Sequence, residues 1–417
     1  MILKSVTMIS WELHPFHTRG GTAYAIRRLA DQLTGLGIET RVLLPDCLDT
    51  QPGNDVSPLL KPVLLKMRPE FLHAPRVPQT LEFGRLAVAE SRGTDAVVAH
   101  SAEGAMFVIQ RGEMRHVGPS VFWLHSLFDP AIDELAKDQR RIFPSSSLLA
   151  SAVAMADLVV TSTGVLQDAC EFEWPDRLRE LQKALTTAFA EDRVLTVEST
   201  GCLATVPPDS RGSNLAELKS PYVLFPGRPT VDKGFGFFGA IAERLRDYNI
   251  ACVAVRHPSQ QAPPSRESRN IYWLPWLTQG ELSVAMSNAA CTVLPSITEG
   301  FGLAAAESIS QGAATVYQEV GGHHVLRGLP NALPVPLTTD ERAQLYSLWA
   351  ELIEMYPDFW PVWTRHEKLL SPLIDKWVET IRLVVKAGSE KTQFPEQPAA
   401  ERWGNRLALG YSQYHLR

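Results

Sequence analysis

The sequence predicts an α/β chain built from two Rossmann-like, doubly wound domains. Three observations predict it. Residues 5–44 read strand, helix, strand. Residues 222–317 repeat that alternation several times, and a Gly-, Pro- and Ser-rich stretch at 198–220 separates the two series. A strand that returns parallel to its neighbour needs a crossover of a dozen or more residues, usually a helix.

Each element has its own signal. Residues 5–10 (SVTMIS) form the first strand. Ile26, Leu29, Ala30 and Leu33 fall at i, i+3, i+4 and i+7, one face of a helix that Gly35 and Gly37 end. Thr40–Leu44 follows as a strand, and further strands are read at Ala96–Ala99, Ser120–Leu124, Leu158–Thr161 and Val194–Val197. In the second series, strands are read at Tyr222–Pro226, Ile250–Val255, Ile271–Leu274, Cys291–Leu294 and Ala314–Tyr317. Helices are read at Phe237–Arg246, Thr278–Ala289 and Leu303–Gln311. Thr278 and Glu281 make a capping box, and Gly312 sits where a glycine stop belongs. Residues 341–417 read helical and hold Trp349, Trp360, Trp363 and Trp377, with a polar stretch at 388–405. The expected domains are 1–205 and 215–385, followed by a tail, 386–417, that could pack on the first domain.

Composition narrows the function. The 417 residues carry a net charge of −6, against the basic excess of a general nucleic-acid binder. The five cysteines have no paired spacing, which fits free thiols in a reducing compartment. The start MILKSVTMISWELHP breaks too soon for a secretory signal, and no apolar run reaches a membrane span. The expectation is a soluble cytoplasmic protein. A cationic stretch, Lys137–Arg141, leaves peripheral contact with anionic lipid open beside the plainer reading of a solvated helix face.

The strongest chemical signal is Pro295–Glu307, PSITEGFGLAAAE. A buried strand runs into a loop holding Gly300 and Gly302, then into a helix starting at Leu303. Glycine lets backbone approach a ligand closely, and the helix start offers unpaired N–H groups and a positive dipole end. This is a phosphate site in which Gly300, Phe301, Gly302 and Leu303 would contact the ligand. Glu299 and Glu307 flank it. Glu307 lies too far along the helix to make a hydrolytic acid–base pair with Glu299. Two separate duties suit them, one on a sugar's hydroxyls and one on a ribose diol. The second signal is Phe225–Gly234, FPGRPTVDKG. Gly227, Arg228 and Lys233 follow a strand at its carboxyl edge, where cations can hold phosphate oxygens. Two ordinary surface cations in a turn would look the same. The third is Arg19-Gly20-Gly21-Thr22, which could bring backbone N–H groups to a diphosphate but lacks the GxGxxG fingerprint of dinucleotide binding.

His125 closes the apolar strand VFWLH, a site location that also suits a structural hydrogen bonder. His323 and His324 are adjacent and diverge, a poor metal pair. No HExxH, Cys–His cluster or GxSxG elbow stands in the chain, so no metal site and no serine hydrolase is expected. Tyr272, Trp273 and Trp276 could flank a nucleotide base, or serve as apolar packing.

Together these residues resemble the retaining glycosyltransferases of the GT-B fold, family 4. The family's E-x7-E pattern falls at Glu299 and Glu307, its G-R…K-G motif at Gly227, Arg228, Lys233 and Gly234, and its glycine-rich loop at Gly20 and Gly21. Its strand-end histidine falls at His125 and its Gly-Gly turn at Gly321 and Gly322. The spacing is coherent over residues 1–340. The resemblance implies two Rossmann-like domains facing a cleft, with C-terminal helices returning to the first. It implies that Arg228, Lys233 and the Gly300–Leu303 amides hold a diphosphate, Glu307 the ribose, Glu299 the transferred sugar and His125 its outer hydroxyl. It implies a UDP-, GDP- or ADP-sugar as co-substrate with no further cofactor, and transfer of a hexose-type sugar with retention. Two positions depart from the pattern. Thr18 stands where related synthases carry Lys, and His323-His324-Val325 stands where an acidic residue is common. The acceptor, whether small molecule, glycan or lipid-linked, is not written in the sequence. A nucleotide-sugar epimerase or hydrolase on the same fold, and a binding module without catalysis, are the rival readings.

Overall fold

A computed structural model describes residues 3–13, 21–46, 58–72, 76–111, 118–125, 127, 145–174, 176–197, 221–230, 232–256, 270–355 and 360–389. The chain divides into two compact units, Met1–Val197 and Glu198–Arg417. The 198–220 stretch, Lys137–Arg141 and the tail beyond Ser389 lie outside the described residues.

Among the described residues, the first unit holds seven strands: β1 (Ser5–Ile9), β2 (Glu39–Pro45), β3 (Leu60–Leu65), β4 (Ala96–His100), β5 (Ser120–Trp123), β6 (Leu158–Ser162) and β7 (Val194–Val197). All pair in parallel, in the order β3-β2-β1-β4-β5-β6-β7. Helices α1 (Gly21–Gly35), α2 (Pro69–Leu72), α3 (Arg76–Glu90), α4 (Ser101–Arg111), α5 (Ser145–Met155), α6 (Thr163–Glu171) and α7 (Asp176–Ala190) lie between them in sequence. The helical stripe read from spacing does its work: Ile26, Leu29 and Ala30 are buried against Val6, Met8, Val42, Leu44 and Val98, with Leu33 alongside.

The second unit repeats the plan. Its strands are β8 (Tyr222–Phe225), β9 (Ala251–Val255), β10 (Ile271–Leu274), β11 (Cys291–Leu294), β12 (Thr315–Gln318) and β13 (Ala332–Val335). They too are all parallel, in the order β10-β9-β8-β11-β12-β13. Counted from each unit's own first strand, both sheets begin 3-2-1-4-5-6, the dinucleotide-fold order. The order reverses between β1 and β4 in one sheet and between β8 and β11 in the other. Ligands of such sheets bind outside the carboxyl ends of the strands at that point.

Helices α8 (Phe235–Leu245), α9 (Gln279–Asn288), α10 (Leu303–Ser310), α11 (Thr339–Met355), α12 (Trp360–Glu367) and α13 (Ser371–Ser389) are found among the second unit's described residues. Helix α9 carries the expected Thr278–Glu281 capping box. The tryptophan-rich helices pack on their own unit. Trp349, Trp363 and Trp377 are buried, Trp363 against Phe237 and Gly236 of α8, and α13 lies on α8 with β11 and β13 nearby. Among the described residues, no helix is long and apolar enough to cross a membrane.

Two strands absent from the sequence reading are β3 (LKPVLL) and β13 (ALPV). Each carries a proline, which argues against a strand in isolation. Each is an edge strand, where only one side of the backbone needs a donor.

The segment that follows edge strand β3 is fastened to α3 by charge. Glu82 is buried and accepts paired hydrogen bonds from Arg85 (2.8 and 2.9 Å) and Arg68 (2.9 and 3.2 Å). The Arg85 hydrogen bonds, opposed by burial and helped by Arg68, draw its carboxyl from the usual 4.5 down to about 2. A carboxyl lowered on folding stabilises above its unfolded pKa and loses that contribution as pH falls through the folded one. The contribution is therefore complete above about 4.5 and lost toward about 2. Both arginines are more than half exposed, so it is worth about 1–2 kcal/mol rather than the full shift. Wild type and Glu82→Gln should differ most in urea midpoint near pH 6 and converge as pH drops below 4.5. A difference that stays constant with pH contradicts this.

Candidate functional site

The loops after β8, β11 and β12 come together at the carboxyl ends of adjacent strands. The first is fixed at both ends by aromatics. Phe225 closes β8, Phe235 opens α8, and their rings meet edge to face at 5.4 Å. Between them lie Gly227, Arg228, Asp232, Lys233 and Gly234. The Asp232 carbonyl accepts hydrogen bonds from Ile297 N (2.9 Å) and Thr298 N (3.4 Å), stitching this loop to the one after β11. The Glu299 carbonyl accepts one from Gly322 N at 2.9 Å, joining the loop after β12.

Glycine is required where these backbones touch. Gly234 has φ 69° and a Cβ there would fall on the Pro295 carbonyl. Gly321 has φ 48° and its Cβ would fall on the Glu299 carbonyl. A Cβ on Gly302 (φ 66°) would sit 2.5 Å from Cδ2 of His323. By contrast, a Cβ on Gly227 would make ordinary contact with Phe225 at 3.4 Å. Gly234 and Gly302 are also the N-caps of α8 and α10, and neither helix start has a side-chain cap. Both leave first-turn N–H groups for another acceptor.

The chemistry centres on Lys233 and Glu299. Nζ lies 2.9 Å from Oε1 and 3.0 Å from Oε2. Ser296 Oγ donates to Oε2 at 3.2 Å, and Asp232 Oδ2 lies 3.7 Å from Nζ. Burial opposes the Glu299 charge, yet Lys233 and His323 outweigh it and hold the carboxyl below its usual value. Burial likewise opposes the Lys233 charge, and Glu299 with Asp232 overcomes it, so the ammonium is held above its ordinary value. Arg228 is exposed and close enough to push back on the Lys233 charge. Three ammonium donors serve Lys233, and the Glu299 carboxylate engages at most two of them.

His323 was missed as a site residue by sequence reasoning. It is fully buried, with Nδ1 2.8 Å from the Gln318 carbonyl and Nε2 3.8 Å from Glu299 Oε2. A carbonyl only accepts, so Nδ1 carries the hydrogen and Nε2 faces the carboxylate. Burial lowers its pKa, opposed by Glu299. Leu303 opens α10 and Phe301 is buried below the loop with Gly300. Glu307 stands one turn into α10, half-buried. Of the aromatic trio, Trp273 packs on Phe235, while Tyr272 and Trp276 are half exposed.

In the first unit, His125 follows β5 and is half-buried. Its Nε2 lies 2.8 Å from Nδ1 of His100, the last residue of β4. His100 escaped the sequence reading because the strand was read to end at Ala99. Gly21 begins α1, whereas Thr18, Arg19 and Gly20 lie outside the described residues. Among the described residues, no group of three or more His, Cys, Asp or Glu side chains gathers as metal ligands.

Comparison with known proteins follows the geometry. Residues 220–346 match the family model of the glycosyl transferases group 1, and residues 5–98 that of the starch synthase catalytic domain. No curated protein sequence matches the chain. Sucrose-phosphate synthase from Thermosynechococcus elongatus is similar in structure, with TM-score 0.58 and 15% identity over 89% of this chain and 99% of that one. The catalytic domain of starch synthase IV from Arabidopsis thaliana, bound to ADP and acarbose, gives 0.56 and 13% over 92% and 99%. An α,α-trehalose-phosphate synthase (UDP-forming) from Burkholderia xenovorans, in complex with glucose-6-phosphate, gives 0.54 and 11% over 92% and 100%.

Close approach at Gly234 gives a stability test. Gly234→Ala combines left-handed strain with a backbone collision and should destabilise the second unit by about 2–4 kcal/mol. Gly239, inside α8 with open space around it, is the control. Gly239→Ala should be neutral or stabilising by about 0.5–1 kcal/mol. Equal melting temperatures for the two variants would refute the packing argument.

With the group 1 model seated on the unit that bears the Lys233–Glu299 loops, and the whole fold shared with these synthases, the chain is a glycosyltransferase of the GT-B fold.

Proposed function

We propose that the enzyme moves a hexose-type sugar from a nucleoside-diphosphate sugar to a hydroxyl-bearing acceptor, with retention of the anomeric configuration, as a member of family 4. The observation that carries this reading is the Lys233–Glu299 contact, from whose loops two helices with uncapped starts lead away. Lys233, Arg228 and the N–H groups of Gly302 and Leu303 are the proposed diphosphate contacts, with Gly227, Gly300 and Phe301 shaping the approach. Glu307 is the proposed partner of the ribose diol and Glu299 of the transferred sugar. In the first unit, His125 is the proposed contact to a sugar hydroxyl, and Gly20 and Gly21 are proposed backbone contacts to the donor.

The electrostatics favour this assignment. Negative charge builds on the diphosphate as the glycosidic bond breaks. Fixed cations and open helix starts beside it would stabilise that charge without reorganisation. Retention without a covalent sugar–enzyme intermediate fits Glu299, because its oxygens are engaged by Lys233 and Ser296 and make a poor nucleophile. The acceptor hydroxyl would then attack from the leaving-group face, with the departing phosphate taking its proton, and positioning would supply much of the rate. The donor base is drawn from uracil, adenine and guanine. The similar starch synthase holds ADP and the similar trehalose-phosphate synthase is UDP-forming. The latter also holds glucose-6-phosphate, which adds sugar phosphates to the acceptors worth trying.

A thermal-shift panel of UDP, ADP and GDP with their sugar conjugates reads the donor directly. The right one at 100 times its Kd should add about 2.7 kcal/mol of stability. Lys233→Ala should abolish that shift and lower kcat/KM by about 10²–10³. Transfer at the wild-type rate by Lys233→Ala or Glu299→Ala would overturn the assignment. Full conversion of labelled donor without acceptor would instead identify an epimerase or hydrolase.

A further inference from the structure

The Lys233 ammonium stands among carboxylate oxygens. Glu299 places Oε1 at 2.9 Å and Oε2 at 3.0 Å, and Asp232 Oδ2 lies at 3.7 Å. The lysine side chain is 22% exposed, so water can replace few of these contacts. A phosphate oxygen that takes a hydrogen bond from this ammonium must therefore compete with Glu299.

Glu299 has little else to hold it as an anion. Its side chain is 11% exposed. Among the described residues, the other hydrogen-bond donor to the carboxylate is Ser296 Oγ, 3.2 Å from Oε2. His323 gives none. Its Nδ1 hydrogen goes to the Gln318 carbonyl, and Nε2 faces Oε2 at 3.8 Å, beyond hydrogen-bond reach. A Glu299 carboxylate stripped of Lys233 would keep one hydroxyl and little water, and a buried charge so poorly matched is costly. A ligand that draws Lys233 away incurs that cost unless it brings hydrogens of its own to Glu299. The hydroxyls of a sugar supply them, whereas a bare nucleoside diphosphate offers none at that end.

We propose that Glu299 and a ligand's phosphate compete for Lys233, so that the site favours a nucleoside-diphosphate sugar over the nucleoside diphosphate left after transfer. This rests on the reading above of Lys233 as a diphosphate contact and Glu299 as the sugar contact. With the sugar in place, its hydroxyls donate to Glu299 and Lys233 turns to the phosphate. Once the sugar has passed to the acceptor, Glu299 recaptures the ammonium and the diphosphate loses a cation. Glu299 thus promotes product release as well as holding the sugar.

Calorimetric titrations of UDP, ADP and GDP against UDP-glucose, ADP-glucose and GDP-mannose test this. Wild type should bind one conjugate more tightly than its own diphosphate. Glu299→Gln keeps the shape and removes the charge. It should bind that diphosphate about tenfold more tightly, the scale of one charged hydrogen bond, and lose the preference for the conjugate. Glu299→Asp keeps the charge on a shorter arm and should also tighten diphosphate binding, which relief of charge repulsion alone would not do. In a Lys233→Ala background neither change should tighten it. The competition is overturned if wild type binds the diphosphate as tightly as its conjugate. It is overturned equally if neither folded variant gains affinity, or if the gain persists without Lys233. A Lys233→Ala protein that binds the diphosphate as wild type does would instead overturn the phosphate role of Lys233, and a wild type that binds none of these ligands would overturn the reading of the whole site.

Discussion

Two opposite charges, Lys233 and Glu299, hold the second unit's site together. Their side chains are 22% and 11% exposed, so neither is well hydrated. An unpaired charge in such a place is costly, and removing one member of a buried pair typically costs about 3–5 kcal/mol. Paired, they tie the loop after β8 to the loop after β11. Both strands flank the point where sheet order reverses, and a parallel sheet leaves a natural opening there. The pair thus fastens the opening from inside. His323 fits the third side, and its tautomer is settled by the Gln318 carbonyl rather than by Glu299.

That arrangement works only if the backbones come closer than side chains allow. Gly234 against Pro295, Gly321 against Glu299 and Gly302 against His323 are three such approaches. The same glycines serve a second purpose at Gly234 and Gly302. A left-handed residue at the N-cap turns the chain sharply from strand into helix and puts no side chain over the first-turn N–H groups. One constraint, a missing Cβ, therefore yields both the tight loop and the open helix start. The aromatic contact between Phe225 and Phe235 keeps that turn from opening, because it clamps the residues on either side of the lysine loop.

What could be read in the sequence follows this physics. Strands and helices with a buried face carry a periodic pattern, so α1 and the central strands were legible. The edge strands β3 and β13 were not, because Pro62 and Pro334 are forbidden in a central strand and tolerated at a border. The glycines and Glu299, Glu307, Arg228 and Lys233 were legible because each residue type does something few others can. The bond between Lys233 and Glu299 was not, since 66 residues separate them and only the fold brings them together. His323 and His100 were hidden for a related reason. A histidine's role depends on what its two nitrogens face, and spacing carries no record of that.

The two units use one strand order for opposite electrostatic ends. In the second, the carboxyl edge gathers Lys233, Arg228, Glu299 and two helix starts, a set suited to a charged ligand. In the first, the corresponding edge of β4 and the neighbouring end of β5 hold two imidazoles that meet nitrogen to nitrogen at 2.8 Å and that burial keeps neutral. A neutral imidazole reads a hydroxyl by direction. It offers one donor and one acceptor at fixed angles, whereas an imidazolium offers two donors and attracts any anion. Pairing the rings removes the remaining freedom, because one shared hydrogen decides both tautomers. A diphosphate can be gripped by charge from many angles, but telling one sugar hydroxyl from another requires a donor whose place is known.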